Sequence, residues 1–453
     1  RLARDPRFDG EFFLAVRTTG IYCRPVCPAR APSEHNVTYY RSAAQAAGAG
    51  YRPCLRCRPE SAPDSPAWLG TSTTVRRALG LIREGALNHG SLAALAGRLG
   101  VGERYLRKLF QRELGASPRD VALNQRLLFA RKLLAETSMP ITEVAFAAGF
   151  GSVRRFNSAV REQFRATPGE LRTRRRPDSG NAAIRLQLHY RPPYDWEGVI
   201  GFFRRHAVAG VETVGDDCYQ RTIRAGGTGV IRVRPMAGRN ALQLELDLPD
   251  QSQLMPVVAR VRRMFDLDAN PAVVHAALAA DEQLAPLLAR FPGIRSPLHW
   301  TPFEAAVRAI VGQQVSTLAA RGICSRLAAA AATPGASPTF PSAAALTALD
   351  DSHFPMPSRR RETLRALCRA CAGREGTLEL GELDTFRGVG PWTVSMVALR
   401  GFGNPDIFPA GDLGLQRAWQ ALCPGPAPIQ SSAARWRPWC AYAANLLWRS
   451  LGP

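Results

Sequence analysis

Four cysteines near the start of the chain have the types and spacing of a metal site. Cys23 and Cys27 form one close pair and Cys54 and Cys57 form a second, with a longer stretch of chain between the pairs. Such spacing lets four thiolates converge tetrahedrally, which is the closed four-sulfur arrangement that structural zinc favours. One zinc ion would also stabilise a segment too small to rely on its own core. Disulfides or free thiols are the alternatives for the same residues.

A second chemical feature is a glycine turn followed by an acid. Gly388, Val389 and Gly390 form a tight turn between two helical patterns, within RGVGPWTVSMVALRG at 387–401. The amides that open the second helix can face a phosphate. Asp412 follows about one helix later, and a carboxylate held beside bound DNA indicates base excision. The plainer alternative is a loop between two helices with an ordinary surface aspartate.

The charge of the chain favours a polyanionic partner. Among 453 residues, 59 are Lys or Arg and 37 are Asp or Glu, a net charge of +22. Residues 1–180 contain 30 basic and 15 acidic side chains, so the front of the chain is the more electropositive. Counterion release makes nucleic acid the first expected partner. Neither an apolar run long enough to cross a membrane nor a signal-peptide pattern is found, so we expect a cytoplasmic protein without a membrane partner.

The segment 70–177 contains one helical unit twice. Ala96 and Gly100 recur with the same spacing as Ala145 and Gly149. In each unit an apolar helix meets a glycine turn and then an arginine-rich helix, which is typical of helix-turn-helix DNA binding. A helical bundle with solvated basic faces is the alternative. The candidates for base or phosphate contact are Arg104, Arg107, Arg154 and Arg155.

Beyond residue 183 the pattern changes to strand-like alternation mixed with helical segments, which predicts a small α+β domain to about residue 268. Helices dominate after that point. The segment TPFEAAVRAIVGQQVS predicts a core helix with Val307, Ile310 and Val315 on one face. His275, His299 and His353 stand isolated in this half, and none is expected to act as a base.

The first segment resembles a known family. FFLAVRTTGIYCRP and GYRPCLRCRPE look like the zinc module of the Ada alkylation-response proteins. The resemblance implies that Cys23 is both a zinc ligand and the acceptor of a methyl group from a DNA phosphotriester, while Arg24 helps to hold the backbone. Methylation would remove one negative charge and so tighten DNA binding. The second segment, FGSVRRFNSAVREQFRATPGELR, resembles the AraC family, whose paired units enter successive major grooves.

The C-terminal half resembles the AlkA family of alkylbase DNA glycosylases through RPPYDWEGVIGFFRRHAVAGVETV, FEAAVRAIVGQQVS and FRGVGPWTVSMVALRGFG. The resemblance implies that Asp412 is the catalytic carboxylate. It also implies an aromatic base pocket formed by Phe202, Trp392 and Trp448. Two positions depart from the family: Met396 replaces a pocket tyrosine, and Gln314 replaces the leucine that fills the gap left by a flipped base.

The absence of lysine from the C-terminal half indicates a monofunctional enzyme. Related enzymes that also cut the strand use a lysine at the start of the helix after the hairpin, where this chain has Trp392. Lys108 and Lys132 are its only lysines. The expected product is therefore an intact strand with an abasic site.

These patterns predict a multidomain chain with four parts. They are a small zinc-bound α/β module at 1–66, an all-α AraC-type double helix-turn-helix at 70–177, an α+β AlkA N-terminal domain at 183–268, and an all-α helix-hairpin-helix glycosylase domain at 269–453.

The expected function is a bifunctional response to DNA alkylation. The chain would hydrolyse the N-glycosidic bond of alkylated purines such as 3-methyladenine, and would regulate transcription through methylation of zinc-bound Cys23. Double-stranded DNA, both alkylated and promoter, is the expected partner; RNA polymerase is a further one, and a nucleoid-associated monomer is expected. One alternative is a regulator whose C-terminal half only binds damaged DNA. Another is an active glycosylase whose N-terminal half only docks on DNA.

Overall fold

The computed structural model describes residues 3–5, 8–59, 73–172, 183–333, 335, 337–374, 377–424 and 428–452. The segments 60–72 and 173–182, which include most of the predicted linkers, lie outside the described residues. Among the helices in these ranges, none is long and apolar enough to cross a membrane.

The N-terminal module is a four-stranded sheet with order β3-β1-β2-β4 and one helix. Its elements are β1 (Phe13–Val16), β2 (Ile21–Cys23), β3 (Val37–Tyr40), α1 (Ala43–Gly48) and β4 (Arg52–Pro53). All four residues of β1 are buried. Since successive side chains of a strand point to opposite faces, both faces of β1 are covered. Leu14 and Val16 pack beside the cysteines, while Phe13 and Ala15 pack on the side of the helix.

The next part is entirely helical. Its elements are α2 (Thr73–Arg83), α3 (Leu92–Arg98), α4 (Glu103–Leu114), α5 (Pro118–Glu136), α6 (Ile141–Ala147), α7 (Val153–Phe164) and α8 (Pro168–Leu171). The internal repeat extends to the caps: Ser117 and Thr167, at equivalent positions of the two units, each form a capping box before a proline at the first helical position. The long helix α5 joins the two units.

The third part is a five-stranded antiparallel sheet with order β5-β9-β8-β7-β6, packed on two helices. Its elements are β5 (Ile184–His189), α9 (Trp196–His206), β6 (Glu212–Val214), β7 (Tyr219–Arg224), β8 (Thr228–Pro235), β9 (Ala241–Asp247) and α10 (Leu254–Met264). Leu186 and Leu244 oppose each other in the register, and both are fully buried. Their cluster continues into the second helix-turn-helix unit through Phe156 and Val160.

The C-terminal part contains ten α-helices within the described ranges. They are α11 (Pro271–Leu278), α12 (Ala285–Arg290), α13 (Pro302–Val311), α14 (Thr317–Ala330), α15 (Ala343–Ala348), α16 (Ser358–Ala372), α17 (Pro391–Arg400), α18 (Leu413–Leu422), α19 (Ile429–Ala433) and α20 (Cys440–Ser450). Short 3-10 turns occur at Glu34–Asn36, Gln251–Gln253, Asp351–His353, Leu380–Thr385 and Ala434–Trp436. The helices form two apolar cores, and α17 contributes to both, Val397 to one and Leu399 to the other.

The core helix predicted before GQQ is α13, in which Val307 and Ile310 are buried. Val315 was expected on the same face, and this expectation is wrong. The helix ends at Val311, and Val315 lies in the following turn with 37% of its surface exposed.

Buried arginines connect the parts. Arg191 is fully buried and donates to the carbonyl of Asp9 in the N-terminal module and to that of Asp268, both at 2.7 Å. Arg221 in β7 pairs with Glu304 in α13, and both side chains are 1% exposed. Removal of one partner of a buried ion pair is strongly destabilising, so the pair of Arg221 with Glu304 fixes the sheet against α13.

Candidate active site and metal centre

A cavity of about 1470 Å³ opens between the sheet-bearing part and the C-terminal helices. Side chains that are distant in the sequence line it together, because α9, α17, α18 and α20 all end or begin there. The predicted site residues on its wall are Phe202, Gln314, Gly388, Gly390, Trp392, Met396, Asp412 and Trp448. The cavity is large enough to admit more than a single small ligand.

Asp412 is the N-cap residue of α18. Its Oδ1 accepts hydrogen bonds from the backbone N–H of Leu415 at 3.1 Å and from Trp448 Nε1 at 3.0 Å. Its Oδ2 accepts from Trp392 Nε1 at 3.3 Å. Three N–H donors therefore fix the orientation of one half-buried carboxylate on the cavity wall. No Lys or Arg lies within ion-pair distance of it among the described residues.

The aromatic residues of the predicted pocket have different roles. Trp392 and Trp448 keep part of their surface exposed, and their indole N–H groups are turned toward Asp412. Phe202 also lines the cavity, but only 4% of its surface is exposed. The two indoles are therefore the aromatic surfaces that a ligand can reach most directly.

Arg400 at the end of α17 was not found by sequence reasoning. Its guanidinium carbon lies 4.4 Å from the ring centre of Phe202 and 4.9 Å from that of Trp448. Burial lowers the pKa of Arg400 to about 9, and Arg205 adds repulsion, while the Asp412 carboxylate opposes the shift. A basic residue in the last turn of a helix is a common capping feature, so the sequence offered no distinguishing signal.

The glycine turn lies at the cavity rim. Gly388 has φ +90°, and a Cβ there would lie 2.4 Å from Thr363 Oγ1, so the turn requires glycine. Gly390 is the N-cap of α17, and Pro391 occupies its first position. Gln313 ties this turn to α13 by donating to the Gly388 carbonyl and to Thr393 Oγ1, both at 3.0 Å. Val389 packs against the neighbouring apolar core.

Gln314 projects from the turn between α13 and α14. Its side chain is exposed at the cavity rim, and its backbone has φ +56°. A non-glycine residue held in this region costs roughly 1–3 kcal/mol, and such residues cluster at functional sites. Met396 lies deeper, half-buried in the wall formed by α17.

The cysteine sulfurs converge as predicted. The Sγ atoms of Cys23, Cys27, Cys54 and Cys57 all lie within 4.8 Å of one another, and those of Cys27 and Cys54 are 4.0 Å apart. Zn–S bonds of about 2.3 Å in a tetrahedron require sulfur–sulfur distances of about 3.8 Å, so the four thiolates fit one zinc ion. The strands set this geometry, because β2 carries Cys23 and β4 leads directly into Cys54.

Arg24 is placed differently from the expectation that it holds the DNA backbone. It is 8% exposed and forms an ion pair with Asp9. It also donates to the carbonyl of Cys57 at 2.9 Å. In this arrangement the guanidinium contacts the metal centre from inside the module, whereas the expectation placed it against the DNA backbone.

A second cavity of about 400 Å³ reaches Cys23 from outside. Its wall includes apolar groups such as Val16 and Phe164, and its rim includes Arg30, Arg52 and Arg165. Arg30 and Arg52 lie beside the two cysteine pairs in the sequence, whereas Arg165 directly follows α7. An anionic chain could approach the Cys23 sulfur along this side of the module.

The basic residues of the two helix-turn-helix units are exposed. Arg104 and Arg107 lie on α4, and Arg154 and Arg155 lie on α7. Arg107 pairs with Glu103 on its own helix at 2.9 Å. Buried apolar residues hold the opposite faces of both helices, so the arginines point away from the core.

Comparison with known families defines the class of protein. The model of the metal-binding domain of Ada matches residues 1–60, a helix-turn-helix domain matches 95–174, and the AlkA N-terminal domain matches 185–301. A solved 3-methyladenine DNA-glycosylase from Archaeoglobus fulgidus is 21% identical, with a TM-score of 0.51, and covers 58% of this chain and 97% of its own. That likeness shows the fold alone. The predicted multidomain fold class is confirmed, while the individual domain boundaries stay predictions.

Two relatives place the chain more closely. A probable bifunctional transcriptional activator/DNA repair enzyme AlkA from Mycobacterium tuberculosis is 42% identical over 474 aligned positions, covering 99% of this chain and 95% of the relative. DNA-3-methyladenine glycosylase 2 from Escherichia coli is 34% identical over 283 positions, covering 58% of this chain and 97% of the relative. The chain belongs to the family of bifunctional transcriptional activator/DNA repair enzyme AlkA proteins. The resemblances to Ada and AlkA are thereby confirmed.

Proposed function

We propose that this protein releases alkylated purines such as 3-methyladenine from DNA and also regulates transcription in response to methylation. The observation that carries the glycosylase proposal is the Asp412 carboxylate, fixed by three N–H donors beside two indole faces. Bases released from methylated duplex DNA and separated by chromatography test it. Alkylated purines in the supernatant support the enzyme, whereas bound DNA without released base would make the C-terminal half a damage-binding module.

The cavity suits a base turned out of the duplex. Glycosylases must extrude their target nucleotide, and alkylated purines carry a positive charge that favours stacking on electron-rich indoles. Trp392 and Trp448 supply such faces. Gln314, on its strained turn at the rim, would enter the gap left in the duplex and hydrogen-bond the orphaned partner base. The amides at Gly390 and the start of α17 would bind a phosphate of the same strand.

Asp412 would act where positive charge develops. The bond between the sugar C1′ and the base nitrogen breaks with its electron pair leaving on the base, and the sugar gains oxocarbenium character. The carboxylate stabilises that charge and orients water on the opposite side from the leaving base. Water then forms the new C1′–O bond and gives its proton to the Asp412 carboxylate, which returns it to solvent. The released base keeps the electron pair of the broken bond, and an abasic sugar remains in an intact strand.

The absence of lysine near the cavity supports the monofunctional assignment. Lys132 is buried in α5 and pairs with Glu136 at 3.0 Å, and Lys108 lies on α4. Without a lysine amine at Trp392, no Schiff base forms there with the sugar. Borohydride should therefore fail to trap a covalent protein–DNA adduct, and the strand should break only after alkali. A trapped adduct would overturn this part of the proposal.

Cys23 would be the methyl acceptor. Zinc, when bound, keeps the four sulfurs as nucleophilic thiolates at neutral pH. The Cys23 sulfur forms a bond to the methyl carbon as the methyl–oxygen bond of a neutral phosphotriester breaks, which gives a thioether and an anionic phosphodiester. The negative charge of the four-sulfur centre decreases by one unit, so its repulsion of the DNA phosphates decreases as well. The cavity that reaches Cys23 supports this assignment.

The exposed arginines of α4 and α7 would then read promoter DNA in successive major grooves. A methylation-dependent footprint at one sequence is the expected result, and a footprint unchanged by methylation would reduce the N-terminal half to a docking module. We also propose that the protein contacts RNA polymerase, is a monomer and is located at the nucleoid in the cytoplasm.

A further inference from the structure

Two histidines lie together on the wall of the large cavity. His206 is the last residue of α9, and His299 precedes α13. Their rings lie 4.5 Å and 5.4 Å, respectively, from the ring of Phe202 and 5.9 Å from each other. His299 stands isolated in the sequence, yet both imidazoles line the cavity that contains Asp412.

The hydrogen bond of His206 fixes its tautomer. Nδ1 lies 2.8 Å from the carbonyl oxygen of Phe202. A carbonyl only accepts, so Nδ1 must carry the proton, and Nε2 of the neutral ring keeps its lone pair. Nε2 has no hydrogen-bond partner among the described residues. Burial lowers the pKa of His206 to about 3, and Arg400 and Arg308 strengthen the shift although the bond to Phe202 opposes it.

His299 is a second neutral imidazole. Its backbone N–H donates to the carbonyl of Arg400 at 2.8 Å, but neither ring nitrogen has a hydrogen-bond partner in the part of the chain that the structure describes. Burial lowers its pKa well below the ordinary value, and Arg308 and His206 add to that effect. Both histidines keep a partly exposed edge although protein surrounds their rings. Polar atoms left unpaired at such a site suggest a ligand.

We propose that His206 and His299 read the edge of the flipped purine, with His206 Nε2 accepting an N–H of the base. This inference rests on the proposed glycosylase function. A cationic alkylated purine has strengthened N–H donors, and a neutral acceptor can take them without charge repulsion. A base without a donor at this position would leave the buried nitrogen unpaired, which is a source of discrimination that stacking does not supply.

Two substitutions at position 206 separate base reading from support of Phe202. Asparagine places its amide near the Nδ1 position and can keep the bond to the Phe202 carbonyl. Glutamine places its amide near the Nε2 position and can accept from a base. Single-turnover release of 3-methyladenine and 7-methylguanine should fall roughly tenfold or more in His206→Asn and stay within about threefold of wild type in His206→Gln. His275→Gln, on the exposed surface of α11, is the matched control.

His299 is tested in the same way. His299→Phe keeps a ring against Phe202 but removes both nitrogens, so release should fall roughly tenfold, with partial recovery in His299→Gln. Binding to duplex DNA with a tetrahydrofuran abasic site should remain within about twofold for every variant, because that DNA has no base edge to read.

Several results would overturn the inference. One is base release at the wild-type rate in His206→Asn or His299→Phe. A second is base release that falls as far in His206→Gln as in His206→Asn. A third is a variant that loses base release and abasic-site binding to the same extent. Wild type that releases no alkylated base would instead refute the proposed function itself, so the two failures are distinguishable.

Discussion

Replacement of Asp412 by asparagine removes the charge on which the proposed chemistry depends while it keeps the shape of the side chain. Asparagine is as good an N-cap as aspartate, so α18 should form with little change in stability. Its oxygen can still accept from Leu415 and Trp448, whereas its NH₂ group cannot accept from Trp392. A carboxylate about 4 Å from a unit positive charge contributes about 4 kcal/mol at an effective dielectric constant of 20. Loss of that term corresponds to roughly a thousandfold in rate.

The half-buried position of Asp412 lets water screen part of this interaction, so we expect a fall between about a hundredfold and a thousandfold. Single-turnover release of alkylpurines from methylated duplex DNA measures it, with thermal unfolding and binding to abasic-site DNA as controls. Asp406→Asn, at a carboxylate paired with Arg437 outside the cavity, is the matched control. A variant at 412 that folds, binds and retains more than about a tenth of the rate would refute the catalytic assignment.

Three further predictions follow from the other sites. Cys23→Ala should abolish methyl uptake from phosphotriester DNA, as measured by mass spectrometry of the protein; continued uptake would move the acceptor elsewhere. Arg154→Ala and Arg155→Ala should each lower the slope of log affinity against log salt by about one if the side chain contacts a phosphate, and should instead relax base preference if it contacts a base. Variants with the wild-type salt slope and the wild-type base preference would exclude α7 from the interface. His189 should make the fold sensitive to acid, because burial, Lys132 and Arg24 lower its pKa to about 3. The contribution of neutral His189 to the free energy of unfolding is therefore fully present above about pH 6.5. It is lost as the pH falls toward 3, because the unfolded chain binds a proton that the folded chain excludes. At pH 5 the loss amounts to about 2 kcal/mol. The free energy of unfolding in urea should therefore differ between pH 8 and pH 5 by about 2 kcal/mol less in His189→Gln than in wild type. An equal difference in the two proteins would contradict the prediction.

Local spacing predicted much of the molecule. The cysteine pairs converge because two short strands bring their ends together, and the internal repeat of the helical part reappears down to the caps at Ser117 and Thr167. The family resemblance supplied the candidate pocket, because its residues come from four separate helices and a loop. Periodicity alone gives no reason to place Phe202 and Trp448 in the same cavity.

Tertiary packing decided the features that sequence reasoning missed. Arg24 follows a ligand cysteine in a basic segment, but Asp9 turns its guanidinium inward. Arg400 and His299 become neighbours of Phe202 only when α9 and α17 meet across the cavity. Burial, and not sequence position, then lowers the pKa values of Arg400 and His299.

The most direct test of the central claim is the number of moles of alkylated purine that one mole of wild-type protein releases from methylated duplex DNA, with the strand examined before and after alkali. We expect many moles of base per mole of protein and a strand that stays uncut until alkali is added. Release of no base by protein that binds the same DNA would contradict it.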